Sequence, residues 1–65
     1  ANINKNIILE NLQFLQDSLA YNAVIILSGL LAEDEADILK AVEPLSWHHQ
    51  KTIQKGMWIA MRFNN

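Results

Sequence analysis

The chain has 65 residues, no cysteine, 51% hydrophobic residues and a formal net charge of −2. That length allows one domain near the lower limit for independent folding, and the lack of cysteine excludes disulfides and a cysteine-based structural zinc. The small net charge hides a split: residues 1–43 hold all seven acids and two lysines, net −5, whereas residues 44–65 hold Lys51, Lys55 and Arg62 without an acid, net +3.

Taken in chain order, Asn2 or Asn4 offers a cap for a first helix. Ile8, Leu12, Leu15, Leu19, Asn22, Ile26 and Gly29 then recur with steps of four and three. This is a heptad stripe, and it predicts a long helix over about residues 4–30, with a possible break near Asp17. The run Val24-Ile25-Ile26-Leu27 is the one strand-like stretch, and its helical flanks place it in a buried helix. Asn22 sits on the stripe as an edge residue or as a polar register pin.

The apolar run 19–32 covers only 14 positions, against about 20 for a membrane-crossing helix. The first residues are amphipathic rather than signal-like. No membrane span is expected, and the chain reads as soluble and cytoplasmic.

Ser28-Gly29 weakens the end of the first helix. Glu33, Asp34, Glu35 and Asp37 then read as the solvated acidic start of a short helix over 33–43, because carboxylates stabilise a helix N-terminus. Glu33 and Asp37 share a helical face while Asp34 and Glu35 point elsewhere, so a convergent metal site is not expected. Pro44 stops that helix. Ser46 caps a last helix over 46–62, with Ile53, Met57, Ala60 and Met61 on one side and Trp47 and Trp58 on an adjoining edge. Gly56 in mid-helix costs about 1 kcal/mol relative to alanine, which close approach of another helix would offset. Asn64 and Asn65 read as a frayed end.

These elements predict an all-α helical hairpin or small bundle in a single domain (1–65), completed by self-association, with a dimer favoured. Ile8, Leu12, Leu15, Leu19, Asn22 and Ile26 form the expected seam. Trp47, His48, His49, Lys51, Lys55, Met57, Trp58, Met61 and Arg62 form the expected partner-binding surface, since Met and Trp are enriched where proteins meet, with a core role for Trp47, Met57, Trp58 and Met61 as the equal alternative. His48 and His49 diverge on a helix and cannot jointly chelate an ion. They read as surface groups, or as a pH-sensitive contact to carboxylates.

Lys51 and Lys55 share a face, but three fixed cations are few for phosphate binding, so a nucleic-acid partner is disfavoured relative to another protein. No phosphate loop, cysteine nucleophile or Ser-His-acid set occurs. The sequence therefore predicts a non-enzymatic interaction module, a small regulator or inhibitor, without metal or cofactor. The alternatives are a nucleic-acid-binding regulator and an accessory subunit of a larger complex.

Residues 23–40 resemble a helix-turn-helix of the flagellar motor switch protein FliG. Residues 33–38 resemble the turn of Rop, an RNA-binding helical hairpin. Both resemblances imply helices on either side of the acidic segment, and neither carries a functional residue onto this chain.

Overall fold

The computed structural model describes residues 3–65, and the expected cap Asn2 lies outside them. Helix α1 (Ile3–Ser18) leads into strand β1 (Val24–Leu31). A 3-10 turn (Ala32–Asp34) then opens helix α2 (Glu35–Val42). A second 3-10 turn (Glu43–Leu45) precedes strands β2 (His48–Lys55) and β3 (Trp58–Asn64). The three strands form one sheet in the order β1-β3-β2. Both pairings are antiparallel, so β1 and β2 run parallel with β3 between them.

This is an α+β fold, and it corrects the all-α helical bundle. The first part of the stripe is a true helix face. Leu12 is buried, and Ile8, Leu15 and Leu19 pack against the core beside it. The stripe fails beyond Ser18 because the chain turns. The helix ends at Ser18, and Asn22 takes a left-handed conformation (φ 60°) in the turn that follows. The β-branched Val24-Ile25-Ile26 then enters a strand, where branching at Cβ packs well. Residues 23–31 are thus not the first helix implied by the FliG and Rop resemblances.

The helix expected over 46–62 is a hairpin. Gly56 has φ +60° and opens a two-residue turn in which Met57 keeps a negative φ, the arrangement of a type II′ turn. Gly56 therefore answers to a backbone requirement and not to close helix packing, since a Cβ there would meet nothing within 4 Å.

Within β1, Leu27 pairs with Met61 and Leu30 with Ile59, so Ser28-Gly29 inserts one extra residue. This bulge re-phases the strand. Ile25, Leu27 and Leu30 all face the core, where strict alternation would send Leu30 outward. On β3, Ile59, Met61 and Phe63 alternate inward without interruption. Ile38 and Val42 of α2, with Trp47, complete the core.

The chain end is fastened, not frayed. The Asn65 side chain accepts a hydrogen bond from Ala23 N–H (2.9 Å) and donates to Ala20 O (3.0 Å). It closes the turn between α1 and β1.

Candidate functional site

The carboxyl end of β1 gathers the start of α1, the 3-10 turn before α2 and the tip of the β2–β3 hairpin. Four contacts build this end. Asn4 Nδ2 donates to Gly29 O at 2.8 Å, tying α1 to the bulge. Lys5 Nζ meets Asp37 Oδ2 at 3.0 Å, tying α1 to α2. Leu31 N–H donates to Asp34 Oδ2 at 2.9 Å, and Asp34 is only 2% exposed. Ala32 N–H donates to Met57 O at 2.9 Å, anchoring the hairpin tip.

The hydrogen bond to the Asp37 carboxylate is the main reason the Lys5 pKa is raised above its ordinary 10.5. The charges of Asp37, Asp34 and Glu33 act in the same direction. Between the 3-10 turn and the hairpin tip lies an open groove of about 440 Å³, lined by Leu31, Ala32, Glu33 and Met57.

A second groove, of about 200 Å³, lies on the sheet face opposite the helices. Ile26, Lys51, Ile53, Ala60, Met61 and Arg62 line it. Ile26 is 65% exposed, and Val24 and Ile53 are also more than half exposed. Lys51 and Arg62 stand directly opposite each other across β2 and β3. Like charges at that spacing repel.

The residues expected to bind partners divide between these surfaces and the core. Trp47 is buried, its indole N–H donating to Gln16 Oε1 at 2.6 Å and its ring 5.8 Å from that of Phe63. Met61 is fully buried. His49 lies 5.3 Å from the Phe63 ring and bonds Thr52 Oγ1 at 2.7 Å. His48, Lys51, Lys55, Met57, Trp58 and Arg62 are exposed. Of the expected seam, Ile8, Leu12, Leu15 and Leu19 face the chain's own sheet, Asn22 lies in the turn, and Ile26 is on the far face.

Glu33 and Asp34 occupy the 3-10 turn, while Glu35 and Asp37 begin α2. Among the described residues no three acidic or histidine groups converge as metal ligands. Asn4, Gly29 and Asn65 carry much of the local geometry, and the sequence marked them only as caps, breakers or a loose end. Their partners lie 25 to 45 residues away in sequence, so no local pattern could announce them.

β1 and β2 run parallel, are joined through α2 and are separated by β3, which is a split β-α-β arrangement within an α+β fold. The family model for ribosomal protein L11 methyltransferase (PrmA) matches residues 1–65, and the chain belongs to that family. This is an enzyme family, and membership corrects the reading of the chain as a non-enzymatic regulator or inhibitor. No curated protein and no solved structure matches the chain. Among the described residues no helix is long and apolar enough to cross a membrane.

Proposed function

We propose that this chain forms one flank of a methyltransferase that transfers a methyl group to ribosomal protein L11. The observation that carries this reading is the family match over all 65 residues. The architecture supports the word flank. The sequence of β1, VIILSGLL, is almost continuously apolar, as in strands buried on both faces. Its free edge has no lysine, proline or other charge to discourage pairing. The opposite edge, β2, has His48, His49, Lys51 and Lys55, and a register shift between His49 and Lys51. Both outer strands carry a register shift, but only β2 carries charges that discourage pairing.

On this reading the sheet continues past β1 in the intact protein, and a further layer covers Val24, Ile26 and Ile53. The apolar excess of the composition belongs to that layer and edge. A carboxylate in the layer would relieve the Lys51–Arg62 repulsion. A second copy pairing through β1 is the rival occupant.

The described residues do not fit a cradle for the methyl donor. The turn from β1 into α2 contains no glycine that would admit a ligand close to the backbone. Gly29, the nearest glycine, is crowded by the Asn4 amide, whose Nδ2 lies 3.1 Å from where a Cβ would sit. Donor binding is therefore assigned elsewhere in the intact protein, and no step of the transfer is assigned to these residues. A ribosomal-protein substrate is consistent with an enzyme that works in the cytoplasm.

The test is to incubate the intact protein with unmethylated L11 and S-adenosylmethionine, then weigh L11 by mass spectrometry. Mass gains of whole methyl groups are expected. An unchanged L11 mass with a folded protein would overturn the reading.

A further inference from the structure

We propose that the groove between Leu31, Ala32, Glu33 and Met57 docks a cationic segment of the protein substrate; this rests on the methyltransferase reading. The groove is open to solvent. It suits an extended side chain on a protein surface more than an enclosed small molecule. Its walls are set before any ligand arrives. Ala32 N–H is bonded to Met57 O, and Leu31 N–H to the buried Asp34 carboxylate. Little order is lost on docking to such a surface.

The side chains are not what the turn itself requires. A hairpin tip is usually polar, yet Met57 is 66% exposed above a fixed backbone. Methionine at an exposed position suits an irregular apolar contact. Glu33 is exposed at the groove's edge, and among the described residues it makes no ion pair. Of the cations at this end, Lys5 is held by Asp37, while Lys55 stands at the hairpin tip opposite Trp58. The groove thus presents an apolar floor with a carboxylate at its rim.

A lysine or arginine matches that arrangement, its stem along Leu31 and Met57 and its charged head at Glu33. The substrate supplies such residues, because a protein that binds ribosomal RNA must neutralise phosphates with Lys and Arg. The groove also lies at the carboxyl end of β1.

The experiment measures steady-state methylation of L11 by the intact protein, comparing Glu33→Gln, Glu33→Lys and Met57→Ser with Glu10→Gln as a charge-matched control on α1. Glu33→Gln should raise the KM for L11 about two- to fivefold, the range of one exposed ion pair. Glu33→Lys should raise it about tenfold or more through repulsion. The KM for the methyl donor and the Glu10→Gln values should stay unchanged. The loss of kcat/KM with added salt should be shallower in Glu33→Gln than in the unmodified protein. Full activity with an unchanged L11 KM in Glu33→Lys and Met57→Ser would overturn the docking proposal alone. An unmodified protein inactive on L11 would overturn the methyltransferase reading, and the docking proposal with it.

Discussion

Gly29 and Gly56 both hold positive φ, at +73° and +60°, for different reasons. Gly56 is open to solvent on its Cβ side, so an alanine there meets only the backbone penalty of a positive φ, about 1–3 kcal/mol. Gly29 carries that penalty and also faces Asn4 Nδ2, 3.1 Å from an added Cβ. Asn4 would have to move, and its hydrogen bond to Gly29 O would weaken. Gly29→Ala should therefore destabilise the intact protein by about 1 kcal/mol more than Gly56→Ala, read as the difference in unfolding midpoint in urea. Equal losses would mean that the Asn4 contact contributes nothing. Asn22 and Ser46 sit at similar φ values, 60° and 59°, without the freedom of glycine. Both mark element boundaries, one before β1 and the other before β2, where the chain must change direction.

At the scale of elements, α1 is joined to its neighbours by an apolar face and two polar contacts near its start. The ion pair Lys5–Asp37 gives one of these a pH signature. A lysine whose folded pKa is raised contributes stability that is fully present below the unfolded value of 10.5, and loses it as pH rises through the higher folded value. The thermal midpoint of the unmodified protein should thus exceed that of Lys5→Met at neutral pH. The two should converge as pH rises above about 10.5. A gap that persists through that range would show that Lys5 acts through its stem and not its charge.

The same elements show what the sequence disclosed. The α1 face, the acidic start of α2 and the stop at Pro44 were legible because each is a local pattern. The period of 3.5 continued past Ser18 by coincidence, since Asn22 and Ile26 fell in phase with the helix above them. The alternation of Ile59, Met61 and Phe63 behind Gly56 was a readable hairpin signal. It was masked because Ile53, Met57, Ala60 and Met61 also fit a helical face. Of the candidate site, Met57 and the acidic cluster were visible as residue types. Their meeting across the Ala32–Met57 hydrogen bond was not, because it depends on a pairing 25 residues apart.

For the molecule as a whole, the two sheet edges and the two sheet faces are unequal. One face lies under the helices, and the other shows Val24, Ile26 and Ile53 to solvent beside an opposed pair of cations. Both edge strands are bulged, but one is polar and charged and the other is apolar. These asymmetries, together with membership of the L11 methyltransferase family, support the proposal that the chain flanks a larger sheet. The most direct measurement is amide hydrogen exchange along β1 in the intact protein, read residue by residue. The account predicts that the β1 amides directed away from β3 exchange as slowly as those bonded to it, because a neighbouring strand covers them. Exchange of those amides as fast as that of exposed residues such as Gln50 would contradict it, leaving β1 as a true edge.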